Sequence, residues 1–137
     1  MLIDSNILIY AINSSSPKHK RAQQFLQENR KVLMIAHQNI FELLRVLTHS
    51  KFQNPMKHNE AIEAIERILD VSTIISPDYR THRITLELVQ KYTMVSNQVF
   101  DAYLVATALS NGINTIATDN VKDLKKFSEI SVINPFS

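Results

Sequence analysis

Residues 98–123, QVFDAYLVATALSNGINTIATDNVKD, read as a helix, a turn, a strand and a loop in immediate succession. From Asp101 onward, Leu104, Val105, Ala108 and Leu109 recur at the spacing of one helical face, which predicts an amphipathic helix. Asn111-Gly112 supplies the positive-φ residue that closes a helix, and Thr115-Ile116-Ala117 is a short apolar strand ending in Thr118-Asp119-Asn120. Asp101 falls in the middle of the apolar face at about 100° per residue. A carboxylate turned toward a core is costly unless a cation or several donors meet it. The structural alternative is an N-cap bonding the amides of Tyr103 or Leu104, although Ser96 and Asn97 offer an earlier cap.

The same grammar extends to both sides of this stretch. Leu2-Ile3 reads as a strand, Asp4-Ser5-Asn6 as its exit and Ile7–Ile12 as a helix, so Asp4 is either a strand-end acid or an N-cap. Ser14–Pro17 is loop, and 18–31 is a polar helix with Ala22, Phe25 and Leu26 inward. Val32–Ala36 is the next strand. A helix over 38–50 follows, with Ile40, Leu43, Leu44 and Leu47 on one side and Gln38, Glu42, Arg45 and His49 in line on the other. Glu42 there either pairs with Arg45 as an ordinary surface residue or faces a cleft. Asn59 is expected to cap a helix carrying Ala61, Ile62, Ile65, Ile68 and Leu69. Thr73–Ile75 reads as a strand, Pro77-Asp78 opens a helix to about Met94, Val121, Leu124 and Phe127 mark a short helix, and Ile130–Ile133 forms a last strand. Strands alternating with helices predict βαβ units, hence one domain over 1–137 with a short parallel sheet inside an α/β/α sandwich.

Composition narrows the chemistry. The chain has 137 residues, 45% of them hydrophobic, enough for one compact core. It has no Cys, which excludes thiol nucleophiles and thiolate zinc sites and makes a reducing cytoplasm the expected compartment. A single Gly cannot build a P-loop or a dinucleotide fingerprint. The five His are scattered without a pair at i,i+4, and no apolar run is long enough to span a membrane. Net charge is +2, compatible with nucleic acid as a partner, and Lys18, Lys20, Arg21 and Arg45 are the cations available to phosphate.

In a parallel α/β sheet, ligands bind at the carboxyl ends of the strands, where Asp4 and Asp119 lie. Asp101 and Glu42 can reach the same edge, placing four acids around one cleft. Carboxylates so crowded repel one another unless cations neutralise them, and an oxygen-only donor set suits Mg²⁺ or Mn²⁺. Such ions activate water for attack on a phosphodiester.

The pieces LIDSNILIY, QNIFELLRVLTHSKF, VFDAYLVATALSNGI and TIATDNVKDLKKF, in this order, resemble PIN-domain ribonucleases, and most closely the VapC-type toxins of toxin–antitoxin pairs. The resemblance implies a PIN-like fold in which Asp4, Glu42, Asp101 and a fourth acid hold a divalent metal that serves RNA cleavage. Relatives often have Asp-Thr where this chain has Asp4-Ser5, and many place the fourth acid where this chain has Asn120. Asp119 is assigned that role, Asn120 that of a polar contact to metal-bound water or phosphate, and Asp123 that of a structural residue of the next helix. Ser5 and Asn6 are further polar neighbours. The resemblance also implies a small antitoxin partner and a homodimer, with docking expected near Phe41, Val46 and Phe52. Two other readings are open: a catalytically weak PIN-like module that binds RNA or protein, and a phospho-acceptor receiver domain. A receiver fits poorly, because it pairs two acids after its first strand and carries a Lys after its last inner one.

Overall fold

The short apolar runs become the strands of one sheet in the computed structural model, which describes Met1–Ser137. These are β1 (Leu2–Ile3), β2 (Met34–Ala36), β3 (Thr73–Ile75), β4 (Thr115–Ala117) and β5 (Ser131–Ile133), all parallel, in the order β3-β2-β1-β4-β5. The helices are α1 (Ser5–Ile12), α2 (His19–Glu28), α3 (His37–Leu47), α4 (His58–Leu69), α5 (Thr81–Lys91), α6 (Gln98–Ser110) and α7 (Val121–Leu124). No helix is long and apolar enough to cross a membrane.

Alternation along the strands divides the core in two. Leu2, Ala36 and Ile116 face one layer with α5, α6 and α7, while Ile3, Ile35 and Ala117 face the other with α1, α2, α3 and α4. The result is the expected three-layer α/β/α architecture. Leu2, Ile3 and Ile116 are completely buried, and each such side chain contributes roughly 1.5–3 kcal/mol through burial.

The helix boundaries are where expectation and structure part. Helix α6 begins at Gln98, three residues before Asp101, with Asn97 as its cap residue, so Asp101 lies in the first turn and is no N-cap. Nor is α6 amphipathic: Ala102, Leu104, Val105, Ala106, Thr107, Ala108 and Ser110 are all buried, because the helix is enclosed between the sheet, α5 and α7. The Thr107 and Ser110 hydroxyls tolerate this by donating to the Tyr103 and Thr107 carbonyls, at 2.9 and 3.2 Å. Helix α4 starts at His58, so Asn59 is inside it rather than capping it. Helix α5 starts only at Thr81, because Asp78 turns the chain first: its Oδ1 accepts from the Arg80 amide (2.7 Å) while its own amide donates to the Thr81 hydroxyl (2.8 Å). Gly112, at φ +73°, closes α6 as the sequence predicts.

Strand order fixes where a ligand belongs. From β1 the chain builds one way to β2 and β3 and the other way to β4 and β5, so the switch point lies at the carboxyl ends of β1 and β4. Asp4 leaves β1 and Thr118-Asp119 leaves β4, while the Asp4 amide still donates to the Ala117 carbonyl at 2.9 Å.

Candidate functional site

Asp4 is both of the things its sequence position allowed. It is the N-cap of α1, its Oδ1 accepting from the Ser5 amide at 2.8 Å, and it is turned into the switch-point cleft. Its Oδ1 also accepts from Asn39 Nδ2 (3.4 Å), and its Oδ2 from the Thr118 hydroxyl (2.8 Å) and Asn6 Nδ2 (3.3 Å). Burial pushes its pKa up, aided by the Glu42 charge, while the hydrogen bonds from Thr118 and Ser5 oppose the rise. Asn39, fully buried, reaches Asp4 from α3 and also accepts from the Ala36 amide at 3.4 Å.

Glu42 does not pair with Arg45. Its Oε2 accepts from the Ser5 hydroxyl at 2.9 Å and its Oε1 from Gln38 Nε2 at 2.7 Å, tying α3 to the first turn of α1. Gln38 also donates to the Phe100 carbonyl at 3.4 Å, which brings the start of α6 against the same edge. The Gln38 Oε1 atom is buried beside Glu42 with no hydrogen-bond partner. Arg45 itself is exposed.

Asp101 carries the strongest electrostatic signature. Its pKa is pushed up to about 6, first by burial, then by the negative charges of Asp123 and Asp4 and, more weakly, Glu42, with Lys126 opposing. Carboxylates from the exit of β1, the middle of α3, the first turn of α6 and α7 therefore act on one another. In this arrangement no three of them are gathered as a preformed ligand set. An oxygen-only group of mutually repelling acids, loosely spaced and carrying an unpartnered buried acceptor, fits a hard cation that keeps several of its own waters.

Asp119 stands apart from this group. Its Oδ2 accepts from Lys18 Nζ at 2.5 Å and from the Tyr10 hydroxyl at 2.8 Å. The Lys18 hydrogen bond in particular holds its pKa below the usual carboxylate value. Asp123, expected to be a structural residue of the next helix, lies in α7, accepts from Asn120 Nδ2 at 2.7 Å and is also the acid that weighs most on Asp101. Of the basic cluster, Lys18 is engaged by Asp119, and Arg21 donates to the Pro135 carbonyl at 2.8 Å, leaving Lys20 exposed. Sequence reasoning missed Asn39, Gln38 as a ligand of Glu42, Thr118, Tyr10 and Lys126. Two of them left a signal: Gln38 lies one turn before Glu42 on the polar line of α3, and Thr118 closes β4 beside Asp119.

The PIN domain family model matches residues 1–130. Among solved structures, VapBC2 from Rickettsia felis bound to a DNA fragment from its promoter is similar at 20% identity and a TM-score of 0.75, covering 97% of this chain and 96% of that one. FitAcB from Neisseria gonorrhoeae is similar at 20% identity and a TM-score of 0.76, covering 98% and 97%. Mycobacterium tuberculosis VapC20, described as a sarcin-ricin loop cleaving toxin, is similar at 17% identity and a TM-score of 0.70, covering 94% and 97%. At such identities the likeness is one of fold. No curated protein sequence matches the chain.

Proposed function

Because the chain belongs to the PIN domain family, we propose that it is a divalent-metal-dependent endoribonuclease acting as the toxin of a toxin–antitoxin pair. The observation that carries the proposal is the convergence of acids on one edge: Ser5 bonds both Asp4 and Glu42, Gln38 ties Glu42 to the Phe100 carbonyl beside Asp101, and Asp101 there is crowded by burial and by like charges from three other elements. Such an arrangement is costly to fold unless a cation compensates it. Asp4, Glu42, Asp101 and Asp123 would hold Mg²⁺ or Mn²⁺, which when bound supplies an activated water and charge neutralisation at a phosphodiester. The protein's own share is orientation. Ser5 and Gln38 fix the two oxygens of Glu42, while Thr118, Asn6 and Asn39 fix those of Asp4.

Incubation of a mixed RNA pool with the purified protein tests this. Discrete fragments in Mg²⁺, and none after chelation by EDTA, are expected; equal cleavage in EDTA would rule the mechanism out. Tight RNA binding with no cleavage in either condition would instead identify the catalytically weak binding module.

An antitoxin partner is supported by relatives solved as toxin–antitoxin complexes, such as that from Klebsiella pneumoniae. Phe52 already packs against the α1–α4 core and Val46 is half-buried, so the docking face first expected around Phe41 loses two of its three members. A groove of about 880 Å³ between α1, α2 and α4 suits the antitoxin better: Ile12, Leu26, Met56 and Ile68 line it with Lys20 and Arg67. Its apolar floor and cationic rim match an acidic amphipathic segment. Phe41 and Phe100, exposed by 66% and 60% and flanking the acid edge, are left for contact between two copies. Light scattering is expected to give a dimer that becomes a monomer in Phe41→Ser, with antitoxin binding lost only when Met56 or Ile68 is made acidic. A parent protein that is monomeric at tens of micromolar would contradict the dimer.

A further inference from the structure

The rim of the cleft holds a cluster that the proposed chemistry does not use. Lys18 Nζ lies 5.1 Å from the centre of the Tyr10 ring and 5.2 Å from that of Phe136, and the two rings meet edge to face at 5.4 Å. Arg21 keeps the Phe136 segment in place by donating to the Pro135 carbonyl. The ammonium, partly open to solvent, thus lies beside two aromatic rings and has one anionic partner, Asp119, which also accepts from the Tyr10 hydroxyl.

Two connections join this cluster to the acids. The Asp119 amide donates to Asn6 Oδ1 at 3.1 Å, which leaves the Asn6 Nδ2 group to donate to Asp4 Oδ2 (3.3 Å) and to the Thr118 hydroxyl (3.1 Å). That hydroxyl donates in turn to Asp4 Oδ2 and accepts from the Asn120 amide at 2.9 Å, while Asn120 Nδ2 donates to Asp123. Asn6 and Tyr10 are one turn apart on α1, so they share a face. The segment leaving β4 is therefore fastened to α1 at two adjacent turns, by its backbone at Asn6 and by the Asp119 side chain at Tyr10.

We infer that Asp119 is a positioning residue, held at the cleft rim by Lys18 and Tyr10, which Phe136 packs against, and that this clamp sets the placement of Asp4 and Asp123 through Asn6, Thr118 and Asn120. The inference rests on the reading that Asp4 and Asp123 belong to the reactive site. Asp119 itself need touch neither metal nor RNA. Loosening the clamp lets the 118–123 segment drift from α1, and small displacements of reacting groups carry large rate costs.

Tyr10→Phe, Asp119→Ala, Asp119→Asn and the Tyr10→Phe/Asp119→Ala double variant test the clamp. Asp119→Ala is expected to lower kcat for RNA cleavage about tenfold with KM little changed, and Tyr10→Phe several-fold. The double variant should be no slower than Asp119→Ala, since both remove one device. Asp119→Asn, which still accepts from Tyr10, should retain activity within about threefold. Hydrogen exchange should quicken at the amides of 118–123 in Asp119→Ala, with Mn²⁺ binding by electron paramagnetic resonance weakened only slightly. Loss of Mn²⁺ binding in Asp119→Asn as complete as in Asp101→Asn would overturn the inference by making Asp119 a ligand. Unchanged exchange at 118–123 in Asp119→Ala, or kcat at the parent level in that variant, would overturn it by removing the clamp. Exchange and Mn²⁺ binding are read without RNA, so a parent protein that cleaves nothing overturns the nuclease reading alone.

Discussion

Asp101→Asn is expected to lower the rate of RNA cleavage by about a thousandfold or more and, in the same protein, to raise stability at neutral pH. The two effects have one origin. Asp101 is held among like charges and partly buried, so its acid form persists to a pKa of about 6 against an ordinary value of 3.8. Its folded state binds the proton more tightly than its unfolded state does. Stability is therefore greatest below the unfolded value and falls as pH rises from about 4 through about 6, where the carboxylate ionises at a cost. Asn keeps the shape and removes that cost. Because the side chain is only half-buried, solvent screening reduces the nominal shift to a gain of about 1 kcal/mol. Thermal unfolding in EDTA should then place Asp101→Asn a few degrees above the parent at pH 7.5 and level with it at pH 4. A variant as active as the parent, or one less stable at pH 7.5, would remove Asp101 from the site.

Asp123→Asn should produce the second largest loss, about a hundredfold in kcat, well beyond that of Asp119→Asn. Asp123 exerts the largest like-charge effect on Asp101, whereas Asp119 spends its carboxylate on Lys18 and Tyr10. A carboxylate already paired with an ammonium at 2.5 Å is a poor candidate for a second cation. Steady-state cleavage of one RNA by the two variants in parallel decides between them. If Asp119→Asn were the more damaging, the fourth acid would be the residue first assigned from the sequence, and the rim cluster would have to open to release it.

The fold was legible because each strand is a short apolar run with an acid or a polar turn at its exit, as at Ile3-Asp4 and Ala117-Thr118-Asp119. Leu104, Val105, Ala108 and Leu109 by themselves suggest an amphipathic α6. Its Ala102, Ala106 and Thr107 gave no polar stripe to contradict that, and only the packing of α5 and α7 on both sides shows why none is needed. Helix starts shifted where side chains made turns first, as Asp78 does before α5. In the site, Asp4, Glu42 and Asp101 could be picked out because a strand exit, a polar line and a misplaced carboxylate each leave a mark in one dimension. The separation of Asp119 from Asp123 leaves none. It depends on Lys18, 101 residues away in sequence, meeting Asp119 across the cleft, and no local pattern encodes that pairing.

Crystals soaked in Mn²⁺ and measured for anomalous scattering give the most direct test of whether Asp4, Glu42, Asp101 and Asp123 form one metal site. A manganese peak in the cleft, contacted by Asp101 and Asp4 and lost in Asp101→Asn, is the expected result; no peak at saturating Mn²⁺, or a peak seated on Asp119 with Lys18 displaced, would contradict it.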